Sequence, residues 1–355
     1  MTPRVAIVGG GYAGVALAAA LRGRAEVTLI ERRDRFYHAV AALRAAADPA
    51  WVDRILIPYD AVPATVVHDE VTALHPDGVT LTSGAGVEAE VWVLATGSSY
   101  AFPAKTELRG HGDIRAAHAA LHARIRASRR VVVLGGGPVG VELAGELATR
   151  IAGLEVHLVE AGDALVSGPY HPALRVGVRA ALDRVGVRVH TGVRWAAPPA
   201  DGERVELGGE SFTADLVLPM IGARPSPLPA RSGFPVDAAG RVQVGPDFSV
   251  PGWPRWFAIG DATALPEPKV STLAEAHAKC LAHGIVARAN GRAAPAWRPP
   301  AAHALVVPVG DRDGAGQLPV LGGVVVGGLL TSWIKGRSLF VERRWRKLGH
   351  PRPPW

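Results

Sequence analysis

The chain carries the same glycine pattern twice, and each copy stands between a short apolar segment and a helical one. The first copy follows residues 5–8 and the second follows residues 131–134, both apolar and rich in valine, as in buried parallel strands. In the spacing G-x-G-x-x-G, glycine allows a tight turn, a close backbone approach to a pyrophosphate, and close packing of helix on strand. The N–H groups and the dipole at the start of the helix favour the same negative charge. The two sets are Gly9, Gly11 and Gly14, and Gly135, Gly137 and Gly140.

An acidic residue ends the second strand of each copy, at Glu31 and at Glu160. A carboxylate in this place can hold the hydroxyl groups of an adenosine ribose. A chance cluster in a chain with 42 glycines is the alternative, but it does not account for the same order of strand, turn, helix, strand and acid twice. We therefore predict FAD at the first site and a nicotinamide dinucleotide at the second, with hydride passing between them. Glu160 favours NADH, because a carboxylate repels the 2′-phosphate of NADPH.

The predicted fold class is α/β, with two Rossmann-like dinucleotide-binding domains and a small α+β segment at the C-terminus. The 355 residues, 48% of them apolar, suffice for the cores of two or three domains. A Pro-rich run over 225–235 is interpreted as the return of the chain from the second domain to the first. The predicted FAD domain is therefore discontinuous, at 1–108 and 225–300; the NAD(P)H domain is 109–224, and the C-terminal segment is 301–355.

The single cysteine, Cys280, excludes an intrachain disulfide and a Cys-x-x-Cys redox pair. Electrons must therefore leave the flavin directly to an acceptor. No apolar run reaches the roughly 18 residues that cross a bilayer. The start of the chain has the pattern neither of a signal peptide nor of N-myristoylation, since Thr2 stands where glycine is needed. We expect a cytoplasmic protein whose membrane contact is peripheral, at the inner face; no metal site and no nucleic-acid partner is predicted.

The net charge of +7 is concentrated at the end of the chain. Residues 335–355 contain seven cations and one acid, Glu342. Such a tail sits on anionic lipid, meets an acidic protein, or forms a solvated terminal face, and the sequence leaves these alternatives open. The cations are Lys335, Arg337, Arg343, Arg344, Arg346, Lys347 and Arg352.

Three strand ends carry residues suited to lie beside a cofactor. One strand ends in Thr96 and Gly97, where glycine permits the backbone to pass close to the flavin. A second such exit holds Gly222, and a third holds Gly260 and Asp261. The aspartate can accept hydrogen bonds from the ribityl chain of the flavin, and an ordinary helix N-cap is the alternative.

Four further residues are candidates, each with a structural alternative. His277, in a helix predicted over 271–290, relays a proton near neutral pH or is a satisfied buried histidine. Glu142 lies near the nicotinamide or on a solvated helix face. His38 and Arg44 line the flavin pocket, or else they cap a helix or lie at the surface.

The last residues are predicted to form a strand over 304–309, a loop over 310–316, a further strand, and then an amphipathic segment. Apolar side chains recur in that segment at helical spacing. They pack against the flavin domain, or they form an interfacial helix that admits a lipid-borne substrate. These residues are Leu329, Leu330, Trp333 and Ile334, with Phe340 and Trp345 further along.

Over nearly its whole length the chain resembles the ferroptosis suppressor protein group, the AIF-like NAD(P)H:quinone oxidoreductases, which are related to type II NADH dehydrogenases. The resemblance is carried by 36–45 (F-Y-H-A-V-A-A-L-R-A), by P-K, L-A and H-A within 268–278, by 310–317 (G-D-R-D-G-A-G-Q) and by 335–341 (K-G-R-S-L-F-V). It implies bound FAD, reduction by NAD(P)H, and delivery of electrons to a quinone near the C-terminal segment.

Carried over by position, the first glycine set and Asp261 hold FAD, and the second set and Glu142 match the nicotinamide site. Lys335 and Phe340 match the C-terminal element associated with the quinone pocket. We therefore take His277, Lys335 and Glu142 as candidate catalytic residues, and Lys335 and Phe340 as candidate contacts to the substrate.

Other functions remain open at this point. A reductase for a small redox protein such as ferredoxin would dock an acidic partner on the cationic tail. An AIF-like binding or sensing module would oxidise NADH slowly with every acceptor. A flavin monooxygenase would form a hydroxylated product in stoichiometric amount. Whether the chain is a monomer or a homodimer does not follow from the sequence.

Overall fold

The computed structural model describes residues 2–320, 322–351 and 353–354. One of the tail cations, Arg352, lies outside the described residues. In chain order the strands are β1 Arg4–Val8, β2 Glu26–Ile30, β3 Arg35–Tyr37, β4 Leu56–Pro58, β5 Thr65–Val67, β6 Val71–His75, β7 Gly78–Leu81, β8 Val91–Leu94, β9 Ser98–Ser99, β10 Arg130–Leu134, β11 Glu155–Val159, β12 Arg188–His190, β13 Arg204–Leu207, β14 Glu210–Thr213, β15 Leu216–Pro219, β16 Arg224–Pro225, β17 Ser249–Val250, β18 Trp253–Ala258, β19 Leu305–Val309, β20 Asp313–Leu318 and β21 Val324–Val326.

The helices are α1 Tyr12–Ala20, α2 Ala39–Ala47, α3 Val52–Ile55, α4 His111–Ala127, α5 Pro138–Arg150, α6 Pro172–Arg184, α7 Leu228–Arg231, α8 Ser271–Ala289, α9 Gly328–Thr331 and α10 Val341–Lys347. Short 3₁₀ turns form at Pro49–Trp51 and Gly260–Ala262, and a π-helix forms at Ser332–Gly336. The helix predicted over 271–290 is thus confirmed to within one residue as α8.

The first sheet has six strands in the order β17-β18-β8-β1-β2-β5. Its strands are parallel except for β17, which pairs with β18 in the antiparallel sense. β1 lies between β2 and β8, and its side chains from Val5 to Val8 are all buried. A parallel strand covered on both faces needs a continuous apolar run, and this is the sequence that β1 has. Helices α1 and α8 pack together beside it.

The second sheet has four parallel strands in the order β12-β11-β10-β15. Strand β10 takes the place that β1 has in the first sheet, since each leads through a glycine turn into a helix, α5 or α1. The hairpin β13-β14 covers part of this sheet and packs Phe212 against Val132 and Leu134. The predicted α/β class is confirmed, with one mainly parallel and one wholly parallel sheet.

The chain enters and leaves the second sheet by two connections that run side by side. Strand β9 pairs with β16 in the antiparallel sense, with Ser98 opposite Pro225 and Ser99 opposite Arg224. Strand β18, which follows the second sheet in sequence, returns to the first sheet beside β8. This interleaving has the order that the sequence predicts, and the domain limits given above stay a prediction.

The small C-terminal sheet, β19-β20-β21, lies against the helices of the second sheet. Two glycines permit the approach, because a methyl group at Gly145 would stand 2.9 Å from the Cα atom of Val309. A methyl group at Gly177 would stand 2.9 Å from the Cβ atom of Ala315. The following π-helix and α10 turn to the flavin side, where the indole N–H of Trp345 donates to a carbonyl of α3 at 3.0 Å. The C-terminal segment therefore contacts both halves of the molecule.

The loop predicted over 310–316 is wrong for most of its length. Only the start of that run turns, and from Asp313 onward it forms strand β20, paired with β19 and β21. A run rich in glycine favours a turn in isolation. Here the absent side chains make room for neighbours instead, since a methyl group at Gly316 would stand 3.2 Å from Val326 and 3.3 Å from Val306.

Within the described parts of the chain, no helix combines the length and the apolar character needed to cross a membrane.

Replacing Gly140 by Ala is expected to destabilise the protein, because the new methyl group would lie 1.9 Å from the carbonyl oxygen of Gly135. Overpacking of this kind costs about 1–3 kcal/mol, which thermal unfolding of the purified protein would detect as a lower Tm. The matched control is Gly137→Ala, whose methyl group would meet no atom within 4 Å and should cost less than about 1 kcal/mol at an N-cap position. Equal losses of Tm in the two variants would contradict this account.

Candidate functional site

The outer glycines of both turns are required by the packing of the protein itself. A methyl group at Gly9 would lie 2.6 Å from the carbonyl oxygen of Ala95, and one at Gly14 would lie 2.0 Å from that of Gly9. The second turn repeats this arrangement, with 2.3 Å between a methyl group at Gly135 and the carbonyl oxygen of Met220. Gly9 and Gly135 also share a left-handed backbone, with φ of 108° and 103°. Each turn thus seats its helix directly on the end of its central strand.

The middle glycines differ from the outer ones. A methyl group at Gly11 or at Gly137 would meet no atom within 4 Å. Each of the two residues is the N-cap of its helix, α1 or α5, and neither caps it with a side chain. The first N–H groups of both helices therefore face an open approach, which is the arrangement that binds a phosphate group.

The two predicted ribose carboxylates are held in the same way. Glu31 Oε2 accepts a hydrogen bond of 2.7 Å from the N–H of Gly10, and Glu160 Oε2 accepts one of 2.6 Å from the N–H of Gly136. Each acid is thereby fixed beside its own glycine turn. They differ in one respect, since Arg33 donates to Glu31 Oε1 from its Nε at 3.1 Å. The structure brings each acid to its glycine turn, and the contact with ribose stays a prediction.

The predicted flavin turns converge on Asp261. Its Oδ2 accepts from the hydroxyl of Ser98 at 2.9 Å and lies 3.3 Å from the ammonium of Lys105. Gly97 and Gly260 take left-handed conformations on either side, with φ of 64° and 71°. Ser98 and Lys105 were not among the predicted residues, because neither belongs to a spaced motif.

The hydroxyl oxygen of Thr96 is buried and has no hydrogen-bond partner among the described residues. A buried polar atom without a partner is costly, so such an atom at a predicted flavin turn fits a site for a polar cofactor. Gly222, at the other connection, is left-handed with φ of 59°, and a methyl group there would meet no atom within 4 Å. It lies two residues before β16, which pairs with Ser98 and Ser99.

His277 is 2% exposed, and both of its ring nitrogens have protein partners. Nδ1 accepts a hydrogen bond of 3.2 Å from the N–H of Gly260, so Nε2 carries the proton and donates it to Glu267. Burial lowers the pKa of His277, and Glu267 opposes that shift. These contacts tie α8 to the turn that holds Asp261, and the predicted proton relay stays a prediction.

Two ion pairs join α5 to the rest of the molecule, and the pair of Arg44 is the more deeply buried. Lys335 Nζ lies 2.6 Å from Glu142 Oε1, and Arg44 Nη2 lies 2.6 Å from Glu146 Oε1. Burial raises the pKa of Glu142, while Lys335 acts in the opposite direction. The solvated helix face considered for Glu142 is excluded, since the residue is 7% exposed.

The predicted candidates thus fall into two groups. Glu142 and Lys335 are in contact. Arg44 donates to Glu146 and to two backbone carbonyl oxygens, and its contact with the flavin stays a prediction. Phe340 is half-buried at the N-cap of α10, with φ of 59°. Glu146 was not predicted as a site residue; the available signal was a second acid four positions after Glu142 in an apolar helix.

The profile of the pyridine nucleotide-disulphide oxidoreductase family matches residues 1–51 and 59–280. The chain belongs to this family. Ferroptosis suppressor protein 1 of Xenopus laevis is 31% identical to this family member, over 99% of this chain and 97% of its own. Apoptosis-inducing factor homolog B of Dictyostelium discoideum is 27% identical, over 99% and 98%. These relatives confirm the predicted resemblance to the ferroptosis suppressor and AIF-like group.

Solved structures show the same fold. The sulfide:quinone oxidoreductase of Aquifex aeolicus superimposes with a TM-score of 0.76 at 20% identity, over 99% of this chain and 93% of its own. A putidaredoxin reductase bound to putidaredoxin superimposes with a TM-score of 0.70 at 21% identity, over 89% and 81%.

The predicted cofactors are confirmed: this family member is an FAD-dependent NAD(P)H oxidoreductase. The two open helix N-termini and the unpartnered Thr96 hydroxyl fit two dinucleotides. The name of the family refers to a disulphide, which the single Cys280 cannot form within this chain.

Replacing Thr96 by Val is expected to weaken FAD binding about tenfold, the effect of losing one good hydrogen bond. The apoprotein should keep or gain stability, because the variant removes a buried hydroxyl without a partner. Equilibrium FAD titration and thermal unfolding of the apoprotein measure the two effects.

The matched control is Thr106→Val, which removes a hydroxyl that accepts from the N–H of Leu108 at 3.1 Å. This control should lower the stability of the apoprotein and leave the FAD affinity unchanged. An unchanged FAD affinity in Thr96→Val would show that the Thr96 hydroxyl faces no cofactor.

Proposed function

We propose that this chain carries the reducing equivalents of NADH to a quinone, which approaches beside Lys335 and Phe340. The observation that carries the proposal is the largely buried pair of Glu142 and Lys335. Glu142 belongs to the helix that starts at the second glycine turn, and Lys335 belongs to the C-terminal segment. The coenzyme side and the C-terminal segment therefore meet at one ion pair.

The extent of the structural likeness supports a quinone as acceptor. The sulfide:quinone oxidoreductase corresponds to this chain over nearly its full length, whereas the putidaredoxin reductase leaves about a tenth of the chain without a counterpart. The C-terminal segment thus has its counterpart in an enzyme whose name includes a quinone.

FAD, when bound at the first turn, supplies the centre that accepts hydride from NADH and gives up two electrons. The N-termini of α1 and α5 bind the two pyrophosphates, and Glu31 and Glu160 orient the adenosine riboses. Asp261, held by Ser98 and Lys105, fixes the ribityl chain. Together these residues would hold the two cofactors in position for hydride transfer, so that positioning would supply most of the catalysis.

The Glu142 and Lys335 pair is suited to supply a proton to the acceptor. Lys335 donates one N–H to Glu142 and another to the carbonyl of Val306 at 3.2 Å, so that a third N–H can donate to a quinone oxygen. The reaction balances as one NADH, one proton and one quinone giving NAD⁺ and one quinol. For His277 the observed contacts favour the alternative role, a buried histidine that holds the turn at Gly260.

We further propose that the exposed apolar face of the C-terminal segment meets a lipid surface that carries the quinone. Leu329 is 89% exposed and Trp333 is 73% exposed. Arg337, Arg343 and Arg346 are exposed in the same segment and would attract anionic lipid headgroups.

The deciding experiment is anaerobic reduction of the holoprotein by NADH, followed by an acceptor panel read at the flavin absorbance. We expect fast reoxidation by a short-chain quinone, insensitive to salt, and by a long-tailed quinone in anionic vesicles. A ferredoxin-type reductase would instead need a protein acceptor, and its rate would fall as salt screens the docking charges. Slow reoxidation by every acceptor would indicate a binding or sensing protein and would overturn the proposal.

Replacing Glu160 by Gln is expected to raise kcat/KM for NADPH relative to NADH about tenfold, because it removes a charge that repels the 2′-phosphate. Glu160 Oε1 also accepts from the N–H of Gly162 at 2.7 Å. A distortion of the loop at Gly162 would therefore affect both coenzymes alike and cancel in the ratio of their kcat/KM values. Steady-state kinetics with both coenzymes give that ratio. The control is Glu155→Gln at the far end of β11, about 17 Å away. An equal NADPH-to-NADH ratio of kcat/KM in the two variants would exclude Glu160 as the determinant of coenzyme preference.

A further inference from the structure

A closed ring of contacts joins α2, α5 and the C-terminal segment. Glu142 and Glu146 are four residues apart on α5 and therefore lie on the same face of that helix. The first pairs with Lys335 of the C-terminal segment, and the second pairs with Arg44 of α2. Arg44 closes the ring, because it also donates to the backbone of the C-terminal segment.

Arg44 is the residue with contacts to both other members of the ring. Its Nη2 donates to the carbonyl oxygen of Gly336 at 2.6 Å, and its Nη1 donates to that of Arg337 at 3.0 Å. Its Nε and Nη2 also donate to Glu146, and the guanidinium lies 4.6 Å from the centre of the Trp51 ring. The side chain is 1% exposed. A buried guanidinium requires charged and hydrogen-bonded partners of this kind, and its rigid planar fork fixes their directions.

The segment that Arg44 holds is under backbone strain. Leu339 and Phe340 are consecutive non-glycine residues with φ of 45° and 59°, in the left-handed region. Such conformations persist only where surrounding contacts impose them. One contact is known at Leu339, whose carbonyl oxygen accepts from His38 Nε2 at 2.8 Å. His38 and Arg44, from one short stretch of the flavin side, thus hold the C-terminal turn at two points.

We propose that Arg44 is a positioning residue for electron transfer to the acceptor: by holding the carbonyl oxygens of Gly336 and Arg337, it sets the place of Lys335 and Phe340 relative to α5. This role is separate from the direct flavin contact predicted from the sequence, which stays a prediction. It rests on the proposed function in that the acceptor approaches beside Lys335 and Phe340.

The chain offers a matched pair of variants. Arg44→Lys keeps a charge for Glu146, but one ammonium cannot reach the carboxylate and both carbonyl oxygens in place of the guanidinium fork. Arg150 also pairs with Glu146 on α5, with 2.7 Å between Arg150 Nε and Glu146 Oε2, and with Asp48 at the C-terminal end of α2. Arg150→Lys therefore perturbs the same carboxylate without loosening the C-terminal turn.

Stopped-flow kinetics of the holoproteins separate the two half-reactions. We expect Arg44→Lys to raise the KM for the quinone, or slow reoxidation by it, about tenfold, the effect of losing one hydrogen bond from a charged group. Anaerobic reduction by NADH should change by less than about twofold, the scale expected for a site without direct contact. Arg150→Lys should leave both half-reactions within that limit. A merely structural role would instead slow both half-reactions together, and that result would overturn the proposal.

Hydrogen exchange provides a readout that does not depend on the acceptor. In Arg44→Lys, amide exchange across 332–341 should become faster, while in Arg150→Lys it should match the unsubstituted protein. Unchanged exchange in Arg44→Lys would overturn the proposal whatever the acceptor. Failure of the proposed function would look different from failure of this proposal. It would appear as absence of quinone turnover in the unsubstituted protein, while the difference in amide exchange between that protein and Arg44→Lys could still be measured.

Discussion

The absence of side chains at two pairs of glycines is the constraint on which this structure depends. At Gly9 and Gly14, and again at Gly135 and Gly140, the backbone of the turn comes so close to its neighbours that a single methyl group would collide with a carbonyl oxygen. This contact lets each helix start at the very end of its central strand. The free N–H groups of the helix then face outward beside an acid held by the same turn. The two predicted dinucleotide sites depend on this one packing rule.

The buried charges have a different effect from the apolar core. Burying an ion pair costs desolvation free energy that its attraction often only offsets, so such pairs contribute little net stability. They are costly to break, however, and each has a defined geometry. Two such pairs lie between α5, α2 and the C-terminal segment, where the proposed function brings the coenzyme side and the acceptor together. Their contribution is therefore to the position of these elements.

The sequence was sufficient where the physical cause was local. The glycine turns, the apolar strands β1 and β10 and the long helix α8 were all predicted, because short-range patterns determine them. The partners of Arg44 could not be predicted, since Glu146 and Gly336 lie far from it in the chain and pairing depends on tertiary packing. The strand from Asp313 was missed for a similar reason. Its glycines gave a turn signal, while its cover of valine side chains exists only in the folded protein.

The ring formed by Arg44, Glu146, Glu142 and Lys335 limits how this chain can diverge. Loss of Arg44 leaves the carbonyl oxygens of Gly336 and Arg337 without this donor, and loss of Lys335 leaves Glu142 without its cation. Exposed side chains such as Leu329 and Trp333 have no such restriction. Changes toward new acceptors are therefore less restricted at the rim of the C-terminal segment than in the ring beneath it.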